Sequence, residues 1–333
     1  MIKFIYSFLY LGGNKMTNYM QVNCIHDTLE HINKVQGNLN TFATELIRRG
    51  TIHDASKLVE PELSVFTECT ERLQDLTYGS EEYANSLKDM KPALDHHYAN
   101  NSHHPEHYKE GVKGMDLMDV VEMYADWKAA VERHADGNII KSIEINEKRF
   151  ELGAQLTAVF KNTAIRTALQ KTKVIAGFPG VGKSYATANF EYGEVLDLES
   201  SDFGWIHHED GTKSRNPDFA EEYTEELLYQ LSSGKYKYIF ISTHNETLND
   251  IGKRIGYHNI NILAPKAGDD IVKNDFLERY RKRGNTADFI DNVFYKNWDN
   301  FLADLKELTY KGVNLYELEV GQTVLDFING TIK

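Results

Sequence analysis

The sequence predicts two domains, a helical N-terminal domain followed by an α/β domain with a parallel sheet. Three observations support this prediction. The chain has 333 residues, more than most single hydrophobic cores sustain. Up to about residue 165, apolar residues recur every three or four positions, which is the spacing of one helix face. Beyond that point, short β-rich runs alternate with helical segments, as in a parallel sheet covered by helices.

The first half is predicted to be entirely helical. A helix from about residue 17 to 49 is expected to end at Gly50, since glycine often terminates helices. Further helices are expected after His53, over 115–134 and over 139–170. The apolar face of the first helix consists of Leu29, Ile32, Val35, Leu39, Phe42 and Leu46.

The second half is predicted to alternate strands and helices. The strands are expected at 171–177, 193–199, 235–243, 259–265 and 314–320. The intervening helices are expected near 183–191, 217–232, 245–256, 270–283 and 286–309. We therefore predict a helical domain over 17–165 and an α/β domain over 166–333.

Residues 1–16 are predicted to be a non-native or disordered leader. Gly12 to Met16 reads as an in-frame translation of a ribosome-binding site, so natural synthesis is expected to start at Met16. The opening apolar stretch has no small-residue cleavage site of the kind that secretion signals carry.

Composition and charge exclude several classes of protein. Apolar residues make up 41% of the chain and charged residues 26%, which argues against extensive disorder. The net charge of −13 disfavours binding to nucleic acid other than at strand ends. Only Cys24 and Cys69 occur, which indicates a reducing, cytoplasmic setting. No apolar run is long enough for a membrane span, and the oligomeric state stays open.

The segment GFPGVGKS at 177–184 matches the phosphate-binding pattern G-x-x-x-x-G-K-[ST]. It follows a predicted strand and opens a predicted helix, where backbone N–H groups and the helix N-terminus attract phosphate. Lys183 is expected to reach the β- and γ-phosphates of ATP, and Ser184 to bind Mg²⁺. The expected ATP-binding residues are Gly177, Phe178, Pro179, Gly180, Val181, Gly182, Lys183 and Ser184.

Two further features of the second half are candidates for catalysis. Asp197 follows a predicted strand, where a carboxylate that binds the acceptor or a metal is expected. The strand at 235–243 ends in Thr243 and His244 instead of an aspartate, so the second magnesium ligand is undetermined. The segment LERYRKRGN places Arg279 and Arg283 on one helix face, as arginines that could close over a transferred phosphoryl group.

From about 172 to 310, the chain resembles a group of bacteriophage P-loop proteins described as adenylate-kinase-like or deoxynucleoside monophosphate kinases. The resemblance rests on VIAGFPGVGKS, VLDLESSDFGW, NPDFAEEY, IFISTH, and LERYRKRGN followed by NWD. It implies ATP-dependent phosphorylation of a nucleoside monophosphate. It also implies an acceptor site with Asp197, Ser201 and Arg215, and a lid with Arg279 and Arg283.

Histidines are concentrated in the first half, with nine of the 13 between residues 26 and 134. His53 and Asp54 are adjacent, and such a pair can bind one divalent ion if other helices add ligands. His31 on the preceding helix is expected to be one of these. Asp119, Glu122 and Asp126 share a helix face, and this spacing leaves open whether Asp119 or Asp126 is the ligand.

The ligand types indicate the metal and a second function for the remaining histidines. Imidazole with carboxylate suits Mn²⁺, Co²⁺, Fe, Ni²⁺ or Zn²⁺ better than Mg²⁺ alone. Lys57, one turn after Asp54, is placed to pair with a substrate phosphate. The candidates for binding a second metal or a phosphate are His97, His103 and His104.

Residues 25–160 resemble an uncharacterised HD-like family frequent in phages, and through it the HD phosphohydrolase superfamily. The resemblance rests on TLEHI, HDASKL with a following Glu, H…N…HHPE and EM…DW. It implies a metal held by an H…HD…D set, which activates water against a phosphoester. It favours Asp126 over Asp119 as the last ligand.

We therefore predict a bifunctional phage-type enzyme of the infected host's cytoplasm. A metal-dependent phosphohydrolase acting on nucleotides would be fused to an ATP-dependent nucleoside monophosphate kinase. One alternative is a phosphatase and polynucleotide 5′-kinase for end healing, although the charge and the lack of a basic-aromatic strand path count against it. Another is a non-catalytic protein that sequesters nucleotide signals against host defence.

Overall fold

A computed structural model describes residues 15–74, 90–134, 137–190 and 194–332, with side chains omitted for 15–19 and 70–74. The chain divides into two compact units, Met1–Asp126 and Trp127–Lys333. The predicted leader, residues 1–16, lies almost entirely outside the described residues.

The first unit is helical, as predicted, and its described residues contain no strand. Short 3-10 turns lie between the first and second and between the third and fourth of its described helices. The helices are α1 (Lys15–Ile52), α2 (Glu62–Gln74), α3 (Lys91–Asn100) and α4 (Leu117–Glu132), the last of which crosses into the second unit. The turns are Ala55–Leu58, Pro105–His107 and Gly111–Gly114.

Helix α1 does not end at Gly50 as predicted, but continues to Ile52. A single glycine lowers helix stability by only about 1 kcal/mol, which neighbouring turns can outweigh. The chain instead leaves the helix at Asp54, whose φ of 55° and ψ of 18° are left-handed. A left-handed residue cannot continue a right-handed helix, and aspartate tolerates this conformation better than most residues.

The interior of the first unit is unusually polar. Glu62, His97, His103 and Asp119 are each at most 2% exposed. Ionisable groups are seldom buried unless they are paired or bind a metal. The buried ionisable groups of this unit are therefore candidates for a functional site.

The second unit contains a five-stranded parallel sheet with helices around it. Its main strands are β1 (Lys173–Gly177), β2 (Val195–Asp197), β5 (Tyr238–Ile241), β6 (Ile260–Pro265) and β7 (Asn314–Leu318), and β3 (Trp205–His207) pairs with β4 (Lys213–Arg215) in a separate hairpin. The helices are α5 (Ile139–Arg149), α6 (Ala154–Leu169), α7 (Lys183–Asn189), α8 (Phe219–Ser232), α9 (Asn245–Ile255), α10 (Asp270–Arg283), α11 (Ala287–Ile290), α12 (Trp298–Glu307) and α13 (Val324–Ile328).

The parallel sheet has the strand order β2-β5-β1-β6-β7. Consecutive residues of β1, β5 and β6 are buried, which shows that both faces of the sheet are covered. The chain runs from β1 to one side of the sheet and later returns to the other side. In such sheets a crevice opens next to the central strand, beyond the carboxyl ends of the strands.

Helices α5 and α6 pack with the sheet unit, although the sequence predicts a domain boundary near residue 165, after both helices have begun. Both helices contact α8, and Trp127 stacks on Phe150 and meets Phe160 edge to face. Helical periodicity identifies a helix but does not say which core it joins.

Two local features were not predicted. The β3–β4 hairpin was not among the predicted strands, because each of its strands has only three residues and both are exposed. The helix expected at 286–309 is divided by a π-helical turn at Asp291–Lys296. Such turns insert an extra residue into the helical ladder and often lie near functional sites.

The assignment of α5 to the sheet unit predicts a specific loss of stability. Ile143 in α5 is fully buried, so Ile143→Ala should lower the free energy of unfolding by about 2–5 kcal/mol. All three tryptophans, Trp127, Trp205 and Trp298, lie in the second unit, so urea unfolding followed by tryptophan fluorescence reports on this unit. Val159→Ala, at an exposed position of α6, is the control and should change stability little.

Candidate functional site

The turn after α1 brings two candidate ligands to one place. Nε2 of His53 lies 3.6 Å from Oδ2 of Asp54, and Nζ of Lys57 donates to the same Oδ2 at 2.7 Å. The backbone N–H of Lys57 also donates to the carbonyl of Asp54. The left-handed turn is thus held by Lys57, and Oδ1 of Asp54 is directed elsewhere.

Three imidazoles lie around Oδ1 of Asp54, so that together they offer four potential ligand atoms. Oδ1 of Asp54 lies 3.2 Å from Nε2 of His97 and 3.5 Å from Nε2 of His103. Nε2 of His97 is in turn 2.9 Å from Nε2 of His104. One ligand atom from each of these four residues lies within 4.8 Å of the others, close enough for one cation to contact all of them.

The orientation of His97 is set by a buried glutamate. Nδ1 of His97 lies 2.9 Å from Oε2 of Glu62, which is fully buried and also accepts from Ser56. Nε2 of His97 therefore faces the cluster, as in the carboxylate–histidine pairs that orient metal ligands.

Two atoms of this cluster are buried and make no hydrogen bond within the described residues: Oδ1 of Asp54 and Nε2 of His103. Buried polar atoms without a partner are rare and costly. The neighbours of Oδ1 are imidazole nitrogens at unfavourable angles, and hydrogen bonding within the protein does not satisfy it. A cation would satisfy both atoms.

Electrostatics keep two of the imidazoles neutral. Burial lowers the pKa of His104 to about 3, with a further contribution from His103 and His97. Burial also lowers the pKa of His103, as does the charge of His53. For Asp54, burial raises the pKa, but His97 and Lys57 outweigh it and hold the pKa well below its usual range. The cluster therefore offers an anionic oxygen and unprotonated nitrogens.

A second group of potential ligands shares Asp54 and adds His53 and Asp126. Nε2 of His53 lies 3.6 Å from Oδ1 of Asp126, and Nδ1 lies 2.9 Å from Oε1 of Glu122. Asp126, followed by Glu122, raises the pKa of His53 to about 9. His53 is thus paired with carboxylates on both of its ring nitrogens. The group around His97 contains both of the buried atoms that lack a hydrogen-bond partner among the described residues, which favours it as the metal site.

Of the two carboxylates that spacing left open, the structure brings Asp126 to the cluster and not Asp119. Oδ1 of Asp119 accepts from Arg49 at 2.7 Å and Ser102 at 2.6 Å, and Oδ2 accepts from Tyr108 at 2.6 Å. Burial opposes ionisation of Asp119, but these donors lower its pKa to about 2. Both oxygens are occupied, so Asp119 stabilises the fold and belongs to none of the ligand groups.

The structure also does not bring His31 into the cluster. His31 is exposed on α1 and belongs to none of the ligand groups found among the described residues. Because α1 is continuous to Ile52, the rise of a helix places His31 about 30 Å before its end. His97, and not His31, is the further imidazole that the structure brings to Asp54.

Three residues that support the cluster had no predicted function. Glu62 orients His97, Glu122 contacts both His53 and His103, and Arg49 links Glu122 to Asp119. The charge pattern of α4 indicated that Glu122 shares a face with Asp126. No sequence signal distinguished Glu62 from the exposed acids around it.

In the second unit, a cleft of about 880 Å³ opens at the carboxyl ends of the strands. Its floor is the glycine-rich loop, residues 177–184, between β1 and α7. Gly180 and Gly182 have φ values of 88° and 91°, which glycine adopts without strain. A Cβ on Gly180 would also lie 2.8 Å from the ring of Tyr280, so this loop excludes larger residues there.

Asp197 lies next to this loop. Oδ2 of Asp197 is 3.5 Å from Oγ of Ser184, and its Oδ1 is buried without a hydrogen-bond partner within the described residues. Burial raises the pKa of Asp197, and Lys183 partly offsets this effect. Ser184 and Asp197 are therefore placed together, on the side of the loop where Lys183 lies.

The two predicted lid arginines differ in their contacts. Nη1 of Arg279 donates to the carbonyls of Gly180 at 3.3 Å and Gln322 at 2.9 Å, which ties it to the glycine-rich loop. Arg283 is exposed and lines the cleft. Arg279 thus supports the loop, and Arg283 is the arginine free to approach a ligand.

The two remaining candidates for the acceptor site lie at the edge of the cleft. Ser201 is exposed and does not line the cleft, whereas its neighbour Ser200 does. Arg215 lies on strand β4 and donates to Oε1 of Glu246 at 3.0 Å.

Residues 20–173 match the model of a family of unknown function, DUF5662. The match covers just under half of the chain, extends from α1 to the first residue of β1, and includes every residue of the histidine cluster. No curated protein matches the chain. No solved structure matches it. Among the described helices, none has the length and apolar character that crossing a membrane requires.

The shared position of Asp54 predicts how metal content changes with substitution. Asp54→Asn should sharply reduce binding of Mn²⁺ or Co²⁺, because two of the three candidate ligand groups lose an anionic oxygen and only the group of His53, His103 and Glu122 keeps its ligands. Asp126→Asn should retain the ion held by His97, His103 and His104. Metal analysis after equilibrium dialysis measures this. His31→Ala is the control, and a loss of metal in that variant would contradict the arrangement described here.

The hydrogen bonds of Asp119 predict a loss of stability without a loss of metal. Asp119→Asn should lower the free energy of unfolding by about 3–5 kcal/mol, because Arg49 loses a buried partner. The pKa of Asp119 is lowered in the fold, so its contribution is present above about pH 4 and is lost as the pH falls towards 2. Urea unfolding followed by circular dichroism at pH 6 and pH 3 should show the variant's deficit shrinking at pH 3.

Proposed function

We propose that the protein is a bifunctional enzyme of nucleotide metabolism. The first unit would be a metal-dependent phosphohydrolase of the HD type, and the second an ATP-dependent nucleoside monophosphate kinase. The observation that carries the proposal is the convergence of one carboxylate and three imidazoles, with two of the ligand atoms buried and unpartnered.

The ligand set of the first unit suits hydrolysis of a phosphoester. A transition-metal cation held by Asp54, His97, His103 and His104 would neutralise a phosphate and lower the pKa of water. Glu62 fixes the orientation of His97, and the left-handed turn fixes Asp54. The nucleotide as substrate follows from the resemblance to the HD superfamily, whose members include nucleotidases.

Lys57 was expected to pair with a substrate phosphate, but it already pairs with Asp54. Its ammonium group is bound to Asp54, and its side chain is 40% exposed. It therefore neutralises the carboxylate first, and an incoming phosphate would share it with Asp54.

In this proposal the second unit is the kinase. The glycine-rich loop would hold phosphates by its backbone N–H groups, with Lys183 beside them. Ser184 and Asp197 would hold Mg²⁺, since Asp197 supplies the carboxylate that β5 lacks. Arg283 lines the cleft and would approach the transferred phosphoryl group.

The strand order supports this assignment. The glycine-rich loop follows the central strand β1, and the crevice of a parallel sheet lies there. The cleft volume is within the range of small-molecule sites, and the monophosphate acceptor follows from the resemblance to phage kinases.

The two activities should be separable by single substitutions. Asp54→Asn should abolish Mn²⁺- or Co²⁺-dependent release of phosphate from deoxynucleotides and leave phosphate transfer from ATP intact. Lys183→Ala should lower phosphate transfer by about 10² to 10³-fold and leave hydrolysis intact, since it removes a charge that faces the transferred group. Assays with each deoxynucleoside monophosphate, with and without labelled ATP, measure both.

Two results would contradict the proposal. The first is inactivity across this panel in a protein that binds both metal and ATP, which would favour nucleotide sequestration. The second is loss of both activities in either variant while both variants remain folded.

A further inference from the structure

The β3–β4 hairpin concentrates aromatic and basic side chains on one face. In its register Trp205 lies opposite Arg215, and His207 lies opposite Lys213. Residues opposite each other in an antiparallel pair share a face, as do alternate residues of a strand. These four residues therefore form one surface, the hairpin face, while Ile206 and Ser214 point to the other side.

The contacts within the hairpin face leave an aromatic ring accessible. Trp205 is 41% exposed, which is unusual for the largest apolar side chain. Nζ of Lys213 lies 4.7 Å from its ring centroid, and the guanidinium carbon of Arg215 lies 5.9 Å from it. Two cations thus lie beside an exposed indole, in a chain whose net charge is −13. The sequence showed no basic-aromatic path, and this expectation is corrected, because only the strand pairing of the hairpin brings these residues together.

Side-chain contacts link the hairpin face to the cleft of the same unit through the buried ring of Phe219. The guanidinium carbon of Arg215 lies 4.6 Å from the ring of Phe219, and that ring meets the ring of His244 edge to face at 5.4 Å. His244 lines the cleft. The ion pair between Arg215 and Glu246 is about half exposed on both sides, and such pairs are weak enough for a phosphate to replace the carboxylate.

We propose that the hairpin face binds single-stranded nucleic acid next to the cleft. An exposed aromatic ring beside two cations is suited to a strand, because a base stacks on the ring while neighbouring phosphates meet the cations. A free nucleotide would use one cation and would not need an open face outside the cavity. A duplex is excluded, because its bases are not available for stacking on Trp205.

The acidic residues of the hairpin do not oppose this binding. Asp210 lies in the turn and accepts from the backbone and the hydroxyl of Thr212, so it closes the turn. Glu209 also lies in this turn, outside the paired strands. The proposal goes beyond the proposed kinase activity, since it concerns binding and needs no turnover.

Fluorescence anisotropy of a labelled 12-nucleotide oligothymidylate tests the proposal on the full chain without ATP. Trp205→Ala should weaken binding by about tenfold or more through loss of stacking. Lys213→Ala should weaken it and reduce the slope of log affinity against log salt by about 0.7, as expected for one lost phosphate contact. An oligouridylate of equal length shows whether RNA is also bound, and a hairpin duplex should bind weakly.

The matched controls lie at the opposite end of the sheet. Tyr310→Ala removes an aromatic side chain that is 89% exposed, and Lys171→Ala removes an exposed lysine before β1, so both should bind the oligonucleotide as the wild type does. Lys183→Ala should also bind it, which separates strand binding from kinase activity. The proposal is overturned if the wild type does not bind, if Trp205→Ala binds equally well, or if the controls lose as much affinity.

Discussion

The placement of the Asp54 carboxylate is the constraint on which the interior of the first unit depends. A left-handed turn ends α1 and directs one oxygen to Lys57 and the other to the imidazoles of His97 and His103. A buried carboxylate is costly unless it is paired, and here one oxygen is satisfied within the protein while the other is not. This difference between the two oxygens of Asp54 distinguishes a metal ligand from a carboxylate that only forms a structural ion pair.

Asp119 shows the opposite outcome for the same residue type in the same unit. Its oxygens accept from Arg49, Ser102 and Tyr108, and nothing remains for a ligand. Asp119 is fully buried and Asp54 is partly exposed, but each has a buried carboxylate oxygen, so burial alone does not identify the ligand. The number of hydrogen-bond donors around each carboxylate does identify it. A metal site is therefore identified from carboxylate oxygens that no donor satisfies, and not from buried acids.

Secondary structure could be predicted from local pattern over most of the chain, because periodicity and the glycine-rich motif depend on neighbours in sequence. The helical first half and the parallel strands of the second are confirmed. His31 lies outside the ligand groups because helical periodicity does not say which turn of a helix meets the others, and His31 is about 30 Å before the end of α1 that precedes His53. The boundary near residue 165 also depended on packing, since α5 and α6 join the core that Trp127 and α8 provide.

The sequence by itself determined which chemical groups are available: the His53–Asp54 pair, the histidines at 96–107, and a glycine-rich loop between a strand and a helix. Only the tertiary structure decided which of them meet. It placed Asp126, and not Asp119, beside His53, and it placed Glu62 in contact with Nδ1 of His97. It also placed Trp205 beside Lys213. Ligand geometry and strand pairing join residues that are far apart in the chain, and local sequence carries no record of those distances.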